Sequence, residues 1–67
     1  MSQNDRILAH MLTGAELTPL EALDRFGCLR LAARVYELRR EGIDIAERTV
    51  REGRKHWSAY RLGIPYA

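Results

Sequence analysis

Residues 18–28 read T-P-L-E-A-L-D-R-F-G-C, and residues 29–40 continue L-R-L-A-A-R-V-Y-E-L-R-R. The first run is a complete short helix with its own start and stop. Thr18 is an N-cap, Pro19 takes the first helical position where its missing N–H costs nothing, and Glu21 closes a capping box. Leu20, Leu23 and Phe26 are its expected buried stripe, and Gly27 supplies the left-handed residue that ends it. A helix over about 19–26 is two turns long and does not stand alone in water, so it packs on neighbours. The second run is expected to be a longer helix over about 29–41, with Gly42 as its stop. Leu31, Ala32, Val35 and Leu38 share one face by spacing, which leaves Arg30, Ala33, Arg34 and Glu37 for the opposite face. Arginines at i and i+4 repel each other, a cost that an anionic partner removes.

Working outward, residues 2–14 (S-Q-N-D-R-I-L-A-H-M-L-T-G) predict a helix over about 4–13. Ser2 or Asn4 caps it, Asp5 favours the dipole at its first turn, and Gly14 stops it. Ile7, Leu8, Met11 and Leu12 form its apolar face, with His10 packed among them or on the surface. Ala15 to Leu17 is long enough only for a stub strand. After Gly42 the apolar period falls from 3.6 to 2, and residues 43–62 predict a two-stranded hairpin turning at Gly53. Tyr60 and Leu62 fall on one face of the returning strand, and Trp57, Ala59 and Arg61 on the other. Residues 63–67 form an apolar tail.

The chain has 67 residues, 46% of them apolar and 30% charged, the balance of one small folded domain spanning 1–67. A domain of this size buries only about 60% of its unfolded surface, so its stability margin is thin. No apolar run reaches membrane-spanning length and no signal peptide is visible, which predicts a cytoplasmic setting. Cys28 is the single cysteine, so there is no internal disulfide framework, and no metal or cofactor is expected. The net charge is +2, but it is unevenly spread. Residues 1–29 carry two basic and four acidic side chains, net −2; residues 30–67 carry nine and five, net +4. Ten of the eleven basic residues are arginine, whose planar fork suits phosphates and guanine edges. Codon preference accounts for an arginine excess equally well.

Short helix, tight glycine turn, longer helix and hairpin, in that order, is a helix-turn-helix followed by a β-wing. The predicted fold class is therefore α+β, mostly α: three helices plus a C-terminal two-stranded β-hairpin wing. The residues L-T-P-L-E-A-L (17–23), R-L-A-A-R (30–34) and L-R-R-E-G-I-D-I (38–45) resemble the small winged helix-turn-helix domains of phage, prophage and bacterial proteins. The resemblance covers roughly residues 5–62 and implies a winged helix-turn-helix fold and DNA binding.

Such a domain lays its recognition helix, here 29–41, in the major groove. That nominates Arg30 and Arg34 for bases or phosphates, with Leu29 and Ala33 for apolar contacts such as thymine methyls. Thr18, at a helix N-terminus, is nominated for a phosphate, and Arg51, Arg54 and Lys55 at the wing tip for the backbone or minor groove. Glu37, Glu41 and Glu52 oppose this reading, and a charge of +2 anchors one copy only weakly. A homodimer is therefore expected, and Trp57, Tyr36, Ile64, Pro65 and Tyr66 are its candidate interface residues; Tyr36 and Trp57 could equally complete the core. The functional expectation is a small double-stranded-DNA-binding protein, a phage-type transcriptional regulator or accessory factor. The alternative is a protein-binding module on the same fold, for example a phage-encoded modulator of a host protein. An enzyme is not expected, because His10 and His56 adjoin no nucleophile or carboxylate pair in a recognisable spacing.

Overall fold

The computed structural model describes residues 2–63. Helix α1 spans Gln3–Leu12, α2 Pro19–Phe26 and α3 Leu31–Arg40; strands β1 (Ile45–Glu52) and β2 (Lys55–Leu62) complete the order. The observed architecture is the expected one, three helices and an antiparallel two-stranded sheet. Each of the first two helices starts with a reciprocal capping box, Ser2 with Asp5 and Thr18 with Glu21, so both have two of their orphan N–H groups satisfied locally. α2 ends at Gly27 with φ +64°, where the Gly27 N–H donates to the Leu23 carbonyl at 3.0 Å. Helix α3 begins two residues later than expected: Leu29 precedes it and Arg30 sits at its N-cap position, outside the helical region at φ −134° and ψ 71°.

The stub strand forms at a single residue. Leu17 donates to the Tyr60 carbonyl at 2.7 Å and accepts from the Tyr60 N–H at 2.9 Å, which makes β2 central between Leu17 and β1. Arg48 on β1 reaches over β2 to Glu16 beside the stub, and Ala59 beneath it is only 2% exposed. At the wing tip, Glu52 faces Lys55 and leaves Gly53-Arg54 as a two-residue loop. Positive φ at its first position only (Gly53, +62°) is the pattern of a type II′ turn, whose twist matches the strands it joins.

The core is Ile7 and Met11 from α1, Leu17, Ala22 from α2, Cys28, Leu31, Val35 and Leu38 from α3, and Ile45 and Tyr60 from the sheet. It differs from the expected core in three places. On α2 the inward pair is Ala22, with Phe26 half-buried, while Leu20 and Leu23 are 76% and 44% exposed. Ala22 and Phe26 are one turn apart, and their face meets α1, where the Gln3 side chain donates to the Phe26 carbonyl at 3.1 Å. On α1, Leu12 is 63% exposed and only Leu8 joins Ile7 and Met11. On α3, Ala32 is exposed. Leu31, Val35 and Leu38 centre the buried face about 90° away from it, at roughly 100° per residue. The tail residues Ile64, Pro65 and Tyr66 lie outside the described residues.

Candidate nucleic-acid interface

The turn between α2 and α3, residues 27–30, sets the direction of α3. Its inner residue is Cys28, 3% exposed and packed in the core, with its N–H donating to the Ala22 carbonyl at 3.1 Å. Pinning Cys28 turns its neighbour outward: Leu29 is 82% exposed, the most exposed of the large apolar side chains. Arg30 comes next, also exposed, and no side chain caps the first N–H groups of α3. An uncapped helix start beside an arginine is positive by geometry and by charge.

Along α3 the side facing away from the core carries Ala33, Tyr36 and Arg40, with Ala32 and Arg39 on one flank. Tyr36 is 62% exposed and therefore not a core residue, and the Arg40 guanidinium lies over its ring, 5.8 Å from the centroid. Arg34 is not on this outer side. It lies on the other flank, half-buried and bonded to Glu37 at 3.1 Å, and Glu37 in turn accepts from the Asn4 side chain of α1 at 3.0 Å. The buried Arg34 Nε and Asn4 Oδ1 have no partner of their own. Expecting Arg34 opposite the core is a misreading of angle. It sits three residues after Leu31, about 60° away, which is a flank. Arg39 is likewise engaged: it donates to the Ile45 carbonyl at 2.7 Å and lies 3.6 Å from Glu47, tying α3 to the wing.

Thr18 is spoken for as well. Its Oγ1 accepts from the Glu21 N–H, and both its N–H and its hydroxyl donate to Glu21 Oε1, at 3.1 and 3.0 Å. The Glu21 carboxylate thus occupies the N-terminus of α2, where a phosphate would otherwise be attracted. In the wing, Arg51, Arg54 and Lys55 are exposed. The three ion pairs among the described residues are Arg34–Glu37, Arg39–Glu47 and Arg48–Glu16, so Arg30 and Arg40 on α3 and Arg51, Arg54 and Lys55 in the wing are left without a carboxylate, as are Arg6, Arg25 and Arg61. The Arg48–Glu16 pair is bidentate, at 2.6 and 2.8 Å. Its hydrogen bonds hold the Glu16 carboxyl below its ordinary value and push Arg48 up.

Trp57 is half-buried opposite Val50. With Thr18, Pro19, Leu20, Glu52 and Lys55 it lines an apolar depression of about 480 Å³ between α2 and the wing. Sequence reading undervalued Ala32 and Arg40; a helical wheel anchored on Leu31, Val35 and Leu38 is the signal that finds Arg40.

A model of the winged helix-turn-helix domain matches residues 2–63. The chain belongs to that family. No match was found among curated proteins or among solved structures. As a winged helix-turn-helix domain, the chain falls in a family that is typically DNA-binding and non-enzymatic, which points to nucleic-acid binding in general. In the winged helix-turn-helix frame, α2 and α3 are the motif's two helices and β1–β2 is the wing. Among the described residues no three His, Cys, Asp or Glu side chains gather to hold a metal, and no helix is long and apolar enough to cross a membrane.

Proposed function

We propose that this winged helix-turn-helix protein binds double-stranded DNA as a phage-type transcriptional regulator or accessory factor in the cytoplasm, with α3 in the major groove and the wing on the backbone. The observation that carries this reading is the distribution of unpaired cations. Arg30 and Arg40 near the two ends of α3, and Arg51, Arg54 and Lys55 at the wing tip, have no carboxylate partner, whereas Arg34, Arg39 and Arg48 do. Arg6, Arg25 and Arg61 are unpaired as well but lie away from α3 and the wing tip. Leu29 and Ala33 are the apolar contacts of that surface. Arg34 reaches DNA only by releasing Glu37, and Thr18 only by releasing Glu21, so both rank below Arg30 and the wing.

The test is a titration of a labelled duplex at several salt concentrations. Affinity falls steeply with salt, and R30A, R40A and R54A each flatten the log–log slope by about 1. Binding that ignores salt, or no binding to any duplex, overturns the proposal.

With few cations per copy, the protein acts as a homodimer, and the depression around Trp57 is where we place the contact. Sedimentation equilibrium of W57A checks this, with a shift to monomer expected. That same depression favours a second reading, a protein-binding module such as a phage-encoded modulator of a host protein. It requires W57A, and not R30A, to abolish a stoichiometric complex with the partner.

A further inference from the structure

The DNA-binding reading leaves open what α3 recognises, and the chemistry of its outer side narrows the choice. From Leu29 through Ala33 to Tyr36, with Ala32 on the flank, this side presents alkyl groups and a ring; Glu37, which borders it, is bonded to Arg34. The arginine that would read guanine from the middle of the helix, Arg34, is turned to the flank and bonded to Glu37. Arg39 is bonded to the Ile45 carbonyl. The remaining cations, Arg30 and Arg40, stand at the ends, about 15 Å apart along the axis at 1.5 Å per residue. Arg30 stands beside Leu29 at the start of the stripe and Arg40 beyond Tyr36 at its end, and their charge selects an anionic partner for it.

In the major groove, the base-edge feature that an apolar side chain distinguishes is the C5-methyl group of thymine. We propose that α3 reads thymine through these methyl groups, with Leu29 and Tyr36 as the specificity-determining side chains; this rests on the DNA-binding reading above. Leu29 is held out in water, 82% exposed, by the buried Cys28 next to it, and a methyl contact returns it to an apolar setting. Ala32 and Ala33 keep the helix slim enough for close approach to the base edges. Tyr36 is held under the Arg40 guanidinium, 5.8 Å from its centroid, so its ring is oriented before binding. Leu31 to Tyr36 spans about 7.5 Å of helix axis and Leu29 stands before that start, so the pair covers about three base steps of 3.4 Å.

The experiment selects duplexes from a random pool with the full chain, then replaces each thymine of the preferred site, one at a time, by deoxyuracil. That change removes the methyl group, keeps the base pair and leaves the protein untouched. We expect thymine enrichment within a window of about three base pairs, and a loss of roughly fourfold for each contacted methyl, the factor that burying one CH2-sized group brings. L29A loses a similar factor on the thymine duplex and becomes indifferent to deoxyuracil at the same position. Specific binding without thymine enrichment, or with no response to deoxyuracil, overturns the inference and leaves DNA binding standing. Failure to bind any duplex overturns both.

Discussion

Gly27 offers a test in which the sign of the effect, and not only its size, is dictated by the backbone. Its φ of +64° lies in the left-handed region, and a Cβ added there meets nothing within 4 Å. Replacing it by L-alanine therefore introduces no clash, only the backbone strain of an L-residue in that region, about 1–2 kcal/mol. For a domain of this size that lowers Tm by about 4–16 °C, at roughly 4–8 °C per kcal/mol. D-alanine prefers positive φ and meets the same open space. At a site that fits it, the lost freedom of the unfolded chain stabilises by about 0.4–1 kcal/mol, as for other compatible replacements of glycine. Chemical synthesis gives all three proteins, and urea unfolding followed by circular dichroism ranks them D-alanine above glycine above L-alanine, with the slope against urea unchanged. Equal destabilisation by both alanines would show that Gly27 is needed for space and not for conformation, and would refute the reasoning.

The ion pairs give two further expected outcomes. R34A costs under about 1 kcal/mol, since its pair with Glu37 is partly exposed, and it lowers duplex affinity less than R30A does; a larger affinity loss for R34A would return it to the DNA-facing side. Because Arg48 lowers the Glu16 pKa below 4.5, the pair's contribution is present above that value and lost as pH falls through the folded-state value. The gap in urea midpoint between wild type and E16Q should hold above the ordinary carboxylate value and close as pH falls below it; a gap that does not change with pH would mean that the pair does not stabilise the fold.

Much of this molecule is written in local chemistry. The Thr18-Pro19-Glu21 start, the Gly27 stop and the Gly53 turn each satisfy or shape backbone within a few residues, so their positions are readable in the chain. Burial on the short helices is different. Over eight residues, Leu20 with Leu23 and Ala22 with Phe26 are both plausible inward pairs, and side-chain size favours the wrong one. What selects Ala22 is the approach of α1, a tertiary fact with no local sign. Arg34 shows that limit only in part. Its spacing from Arg30 suggests a shared cationic face, whereas its spacing from Leu31 already puts it on the flank; only the Asn4 bond to its partner Glu37 is tertiary. Leu29 is legible as a candidate contact, but its exposure depends on Cys28 being buried, which no local spacing in the sequence reveals.

The bond pair between Leu17 and Tyr60 joins residues 43 positions apart and encloses the whole of α2, the turn, α3 and β1. That makes the reading head inseparable from its frame. Excised as a peptide, residues 18–42 would lose Ile7, Met11, Leu17, Ile45 and Tyr60, half of the side chains that hold Ala22, Leu31 and Val35 in place. Helices of eight and ten residues do not persist in water without such support. The core that α2 and α3 need is therefore completed only by α1, the stub at Leu17 and the sheet. Loss of the last strand would take away Tyr60 and the bridge to Leu17 together, and with them part of the support of α3.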